Sequence, residues 1–230
     1  NGGYGMLGFG HLPDAVVGAM SKPQVMANVM TANASQLRLA RALRKEIGHS
    51  RDGDCPFSDF LAMNSGSESV ECAMKIARKA MHLAGTPERT SFVALERAFH
   101  GRSLGALSLT HNQKYRTPFA PLLDVTWVAP DDCTMLAATI RTQRPAALFL
   151  EPIQGEGGIC ELSREFLQTA RDVCSESGTV LVHDEIQTGC GRTGTFLAAQ
   201  YHDITPDVVT LAKPIGAGLP MGVCLANETY

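Results

Sequence analysis

The sequence predicts an α/β fold with a mostly parallel sheet covered by helices on both faces. Three observations lead there. Short, near-continuous apolar runs such as Val180-Leu181-Val182 read as strands buried on both sides. Amphipathic stretches of helical period lie between them. Several of the apolar runs also pass straight into glycine-rich loops, as the carboxyl ends of strands do in ligand-binding α/β sheets.

Residues 1–33 are rich in Gly, Met and Asn, with a short helix expected near 13–20. A helix over 34–47 would place Leu37, Ala40, Leu43 and Ile47 on one face. The stretch 49–57 carries Gly, Asp and Pro and reads as a loop. Strands are expected at 59–63, 91–95, 124–128, 146–150, 179–182, 207–211 and 222–226, with helices between several of them. One helix, 68–84, carries a stripe of Val70, Ala73, Met74, Ala77 and Met81, with Glu71 and Lys75 at pairing distance. Ser163 suits the N-cap of another, which buries Phe166, Leu167, Ala170, Val173 and Cys174 and stops at Gly178.

The 230 residues suffice for one large core, and 44% hydrophobic with 19% charged residues is ordinary for a globular chain. A net charge of -3 gives no footprint for nucleic acid or an anionic membrane, and no apolar run is long enough to span one. Seven scattered cysteines without C-x-x-C fit a reducing, cytoplasmic setting. The seven histidines show no H-x-H or H-E-x-x-H spacing, so no metal is expected. The chain starts at Asn1 without Met and stops just after a strand, and is expected to be a portion of a longer protein.

Asp184 and Lys213 each sit where a core strand meets a glycine-rich loop. An acid and an amine at such places are expensive to bury unless they carry chemistry. A lysine that forms a Schiff base and a carboxylate that holds a pyridinium nitrogen are one such requirement. Lys213 precedes Pro214, which favours an extended backbone, and its apolar neighbours Leu211 and Ala212 favour the neutral amine. A structural strand-end acid and a solvated lysine are the plain alternatives. A nucleotide hydrolase would need G-x-x-x-x-G-K-[ST], and the chain has no Gly-Lys dipeptide.

Ser65, Gly66 and Ser67 precede a helix, where free N–H groups, hydroxyls and the helix dipole suit an anion such as phosphate; a simple Ser N-cap is the alternative. Phe99 beside His100 and Gly101 could lie flat on a planar cofactor, and Arg102 offers a fork for a carboxylate. His100 itself reads as a structural hydrogen-bonder. The segment from Glu151 to Gly158 reads as a flexible loop with two carboxylates, Glu151 and Glu156, suited to a pocket wall. Two G-x-G-x-x-G matches, Gly3–Gly8 and Gly189–Gly194, keep an NAD-dependent oxidoreductase as the alternative, with Asp203 and Asp207 near the distance of a ribose-binding acid.

Taken together, NSGSESVECAMKIARKA, ERAFHGRSLGALSLT, LFLEPIQGEGGI, VLVHDEIQTGCGRTGTFLA and ITPDVVTLAKPIGAGLPMG resemble the class III pyridoxal-phosphate-dependent aminotransferases of the acetylornithine, ornithine and 4-aminobutyrate group. The blocks appear in the family's order and cover most of 60–222. The resemblance implies the large domain of the aspartate-aminotransferase type at 51–230 after an N-terminal segment at 1–50, with the C-terminal small domain absent. It makes Lys213 the Schiff-base lysine and Asp184 the partner of the pyridine nitrogen. Gln187 would sit near the cofactor's phenolic oxygen, Phe99 on its ring with His100 beside it, and Ser65, Gly66 and Ser67 at its phosphate. Arg102 becomes the clamp for a substrate carboxylate and Glu156 the gating acid. The implied reaction moves an ω-amino group from acetylornithine, ornithine, lysine or 4-aminobutyrate to 2-oxoglutarate, in a homodimer. An aminomutase or phospholyase on the same fold is the nearer alternative.

Overall fold

A computed structural model describes residues 3–22, 33–49 and 54–230. The loop expected at 49–57 and the segment 1–33 therefore lie partly outside the described residues. The helices are α1 (Asp14–Met20), α2 (Ala34–His49), α3 (Gly66–Leu83), α4 (Leu104–Ser108), α5 (Gln113–Arg116), α6 (Cys133–Gln143), α7 (Arg164–Ser177) and α8 (Ala198–His202). The strands are β1 (Asp59–Met63), β2 (Phe92–Leu95), β3 (Val125–Val128), β4 (Ala147–Leu150), β5 (Ile153–Gln154), β6 (Cys160–Glu161), β7 (Val180–Asp184), β8 (Val208–Leu211) and β9 (Gly222–Ala226).

Seven strands form one sheet in the order β1-β9-β8-β7-β4-β2-β3, and β5 pairs with β6 as a small hairpin. All pairings in the large sheet are parallel except the two made by β9 with β1 and β8. The expected mostly parallel sheet is therefore present. Within the segment from Glu151 onward, expected as a flexible loop, Ile153 and Gln154 pair with Glu161 and Cys160 as the hairpin β5–β6.

The period-two geometry of a strand explains the unbroken apolar runs. On β2, Phe92 and Ala94 face one core layer while Val93 and Leu95 face the other. On β4, Ala147 and Phe149 divide from Leu148 and Leu150 in the same way. Helix α3 covers the first layer with Val70, Ala73, Met74, Ala77 and Met81, the stripe its sequence predicts. Helices α6 and α7 cover the second, with Leu136, Ile140, Phe166 and Leu167. Each such fully buried side chain contributes about 1.5–3 kcal/mol of transfer free energy.

Helix ends follow their sequence signals. The Ser163 side chain accepts from Phe166 N at 3.2 Å, and Gly178 closes α7 in the left-handed region at φ 67°. Glu71 departs from expectation. Rather than a pairing with Lys75, its Oε1 accepts from Ser103 Oγ at 2.6 Å, Gly105 N at 2.9 Å and Ala106 N at 3.2 Å. Those donors belong to the first turn of α4, so this carboxylate fastens α4 to α3. Among the described residues no helix is long and apolar enough to cross a membrane.

Candidate active site

Strands β8, β7, β4 and β2 are consecutive and parallel, so their carboxyl ends open on one edge of the sheet. That edge receives Lys213, Asp184, Glu151 and the Phe99-His100 pair, each just at or past its strand. β1 runs in the same sense, because it and β8 are both antiparallel to β9, and it delivers Ser65, Gly66 and Ser67 to the same edge. A cavity of about 410 Å³ lies there, within the range usual for small-molecule sites.

Asp184 ends β7 and is buried. Its Oδ2 lies 2.7 Å from His100 Nδ1, and its Oδ1 accepts from Ile186 N at 3.0 Å. His100 is also buried, its backbone N–H donating to Thr110 Oγ1 at 3.0 Å. Burial opposes a charge on this imidazole, but the hydrogen bond and charge of Asp184, helped by Glu151, outweigh it and raise its pKa. Asp184 and His100 both line the cavity. Among the described residues His100 Nε2 has no hydrogen-bond partner.

Lys213 follows β8 and opens a 3-10 turn, Lys213–Gly216. The extended backbone expected from Pro214 is not what forms: Lys213 has φ 46°, in the left-handed region. Proline disfavours the right-handed helical region for its predecessor, and here the tight turn takes the chain to the opposite side of φ instead. A lysine in that region stores strain of order 1–3 kcal/mol, held by the packing around it. The expected neutral bias is present. Burial lowers the amine's pKa, partly offset by Asp184, Glu151 and Glu156, while Arg192 lowers it further.

Ser65 caps α3, its Oγ accepting from Glu68 N at 3.2 Å, so the plain N-cap reading is fulfilled. Ser67 Oγ accepts from Arg102 N at 3.2 Å. Both hydroxyls act as acceptors there, which leaves their protons free for an anion at the N-terminus of α3. Gly101 makes the close approach to Ser67 feasible: it has φ 136°, and a β-carbon on it would stand 2.5 Å from Ser67 Oγ.

Phe99 lines the cavity, and its ring packs edge-on against Tyr115 with centroids 6.5 Å apart. Gln187 and Glu156 also line it. The Gln187 Nε2 donates to Tyr4 O at 3.2 Å, which brings Met6 and Leu7 of the N-terminal segment over the cavity. Arg102 is the residue the structure leaves aside. It is exposed, and its guanidinium carbon sits 4.1 Å from the Tyr115 ring centroid rather than in the cavity.

Sequence reasoning put Glu151 in a pocket wall without giving it a role, and passed over Ile186. Glu151 ends β4 as Asp184 ends β7, and that equivalence was the available signal. It is buried, accepts from Phe99 N at 2.9 Å and Gly155 N at 3.3 Å, and burial raises its pKa to about 7 against the pull of His100. Ile186 signals itself only in three dimensions, where it packs beside Gly66.

Neither glycine motif has the strand-turn-helix setting of a dinucleotide site. Gly3–Gly5 is a 3-10 turn beside the cavity, and turns alone connect Gly189–Gly194 to the five-residue α8. Asp207 is ion-paired with Arg171 at 3.0 Å and accepts from Leu181 N at 2.8 Å, at the start of β8 and so at the far edge of the sheet. Asp207 is thereby committed to the structure, and the other candidate acid, Asp203, is the C-cap of α8. Among the described residues no group of three or more metal-ligating side chains forms.

The arrangement offers an anion cradle, a flat aromatic, a buried acid backed by an imidazole of raised pKa, and an amine biased to neutrality. The family model Aminotransferase class-III matches residues 1–230. Acetylornithine aminotransferase of Mycobacterium bovis is 44% identical over 226 residues, covering 98% of this chain. The chain spans 54% of that relative's length. Among solved structures, the ornithine aminotransferase of Toxoplasma gondii superposes with a TM-score of 0.88 at 28% identity, over 99% of this chain and 54% of its own. The N-acetylornithine aminotransferase of Stenotrophomonas maltophilia gives 0.79 at 33% identity, over 98% of this chain and 55% of its own. With its whole length matched, the chain belongs to the class III aminotransferases.

Proposed function

We propose that this chain carries the pyridoxal-phosphate site of an enzyme that transfers an ω-amino group from an amino acid of the acetylornithine or ornithine type to a 2-oxo acid, 2-oxoglutarate being the expected acceptor. The observation that carries the reading is the convergence of Lys213 and Asp184 on one cavity with the N-terminus of α3. The residues present fit the cofactor: a phosphate matches Gly66 and Ser67, a ring matches Phe99, a pyridine nitrogen matches Asp184 and a phenolic oxygen matches Gln187. Pyridoxal phosphate, when bound, supplies an electron sink for the carbon that loses a proton.

The protein's own groups do the rest. Asp184, held by His100 and Ile186 N–H, is the acid that would face a ring nitrogen. Lys213 is the residue that would hold the cofactor through its amine, and once displaced by a substrate amine it would serve as the base that moves a proton. Its lowered pKa serves both tasks. Arg102 is the cation available for a substrate carboxylate, on leaving Tyr115. Domain limits of 1–50 and 51–230, a homodimer and a cytoplasmic setting complete the reading.

Adding pyridoxal phosphate should produce a visible band that Lys213→Ala abolishes. Donors tested with 2-oxoglutarate should favour N-acetylornithine or ornithine over α-amino acids without an ω-amine. A protein that binds NAD and leaves pyridoxal phosphate unbound overturns the proposal.

A further inference from the structure

We propose that Glu151 is a positioning residue that yokes the aromatic wall of the cavity to the loop carrying Glu156. The proposal rests on the cofactor reading above for its purpose, and on geometry alone for its existence. One carboxylate serves two backbone segments. Its Oε1 takes the N–H of Phe99, whose ring forms the wall, and its Oε2 takes the N–H of Gly155, the residue before Glu156. These two segments come from different strand ends, β2 and β4, and Glu151 joins them across the edge of the sheet. Gln154 braces the same turn from its other side, its Nε2 donating to Glu96 O at 2.9 Å.

A carboxylate suits this double duty because it is acceptor-only, with two oxygens that diverge. Glutamine of the same volume presents one acceptor and one donor, so one of the two N–H groups must lose its partner. Aspartate is a methylene shorter and cannot span both. The acid is 5% exposed, so a lost partner is not replaced cheaply by water. The charged groups around it are His100 from the loop after β2, Asp184 from the end of β7 and Lys213 from the turn after β8. Its protonation therefore responds to the same cluster that faces the cofactor.

With Phe99 and Gly155 tied to one side chain, the wall and the Glu156 loop move together. Displacement of Glu156 by a substrate is then felt at the ring-stacking aromatic, and the reverse.

Amide hydrogen exchange on the cofactor-free chain tests the yoke directly. In Glu151→Gln, either the Phe99 or the Gly155 amide should exchange about tenfold or more faster, as loss of a hydrogen bond to a charged group implies, while amides inside β2 and β4 keep their wild-type protection. In Glu151→Asp, the Gly155 amide should be the one released, because it makes the longer bond. The visible circular dichroism of bound pyridoxal phosphate should fall in Glu151→Gln although the absorbance band persists. Wild-type exchange at both amides in both variants overturns the proposal, as does uniform loosening of β2 and β4 together. Should the wild-type chain bind no pyridoxal phosphate, the cofactor reading fails while the exchange result still decides the yoke.

Discussion

His100 Nδ1 stands 2.7 Å from Asp184 Oδ2, and both side chains are almost wholly withdrawn from solvent. A buried carboxylate at a strand end is thereby paired with an imidazole from the loop after β2, and both line the cavity. The hydrogen bond and charge of Asp184 raise the pKa of His100 against burial.

Replacing Asp184 by Asn removes that charge and keeps the shape. The raised pKa of His100 depends on Asp184 against burial, so in Asp184→Asn burial should prevail and the imidazole pKa should fall below its ordinary value. Histidine ring NMR across a pH series reads this without any cofactor. An unchanged His100 titration contradicts the pairing.

Glu71 makes three hydrogen bonds to the first turn of α4. Glu71→Ala should destabilise the chain by about 1–3 kcal/mol, a partly buried network being lost. For a chain of this size that is roughly 2–4 °C in Tm per kcal/mol. Thermal unfolding checks it, and Lys75→Ala should have almost no effect, since Glu71 engages α4 instead.

Glu185 turns away from the cavity and caps α8, accepting from Ala198 N at 2.5 Å and Ala199 N at 2.9 Å. Burial raises its pKa from 4.5 to about 7, against those hydrogen bonds and that of Thr188. The folded state therefore holds this proton more tightly than the unfolded chain does. Its contribution is full below pH 4.5 and is lost as pH rises through about 7. Glutamine does not titrate, so the Tm deficit of Glu185→Gln should shrink from pH 5 to pH 8. His183, pushed down to about 3 by burial, acts oppositely as pH falls below 6.5, which is why the difference between variants is the quantity to follow. A deficit that grows with pH contradicts the account.

Arg102→Ala should raise KM for the amino donor about tenfold or more, as loss of a charge-assisted bond to a carboxylate implies, and leave the visible cofactor band intact. Steady-state kinetics with a fixed 2-oxo acid measures it. An unchanged KM places the carboxylate elsewhere and leaves Arg102 to its Tyr115 contact.

Strands β7 and β9 were legible because both faces are buried: β9 occurs where its apolar run puts it, as does the partly exposed edge strand β1, and β7 extends two residues further to include His183 and Asp184. Helices α3 and α7 carried both a stripe and a cap. By contrast α5, β5 and β6 are too short for periodicity to register. At Glu71 the helical spacing pointed to Lys75, and a tertiary partner, the N-terminus of α4, prevailed. At Lys213 the rule for residues before proline correctly disfavoured the right-handed helical region, but sequence carries no sign of the turn that forces a positive φ. Glu151 was visible as an acid in a loop, and its two backbone partners appear only once β2 and β4 lie side by side.

The central claim is that Lys213 and Asp184 belong to one pyridoxal-phosphate site. Borohydride reduction of the chain incubated with pyridoxal phosphate, followed by peptide mass mapping, tests it most directly. The account predicts a pyridoxyl adduct on Lys213, lost in Lys213→Ala and weakened in Asp184→Ala. Label confined to exposed lysines such as Lys79 and Lys114, with Lys213 unmodified, would contradict it.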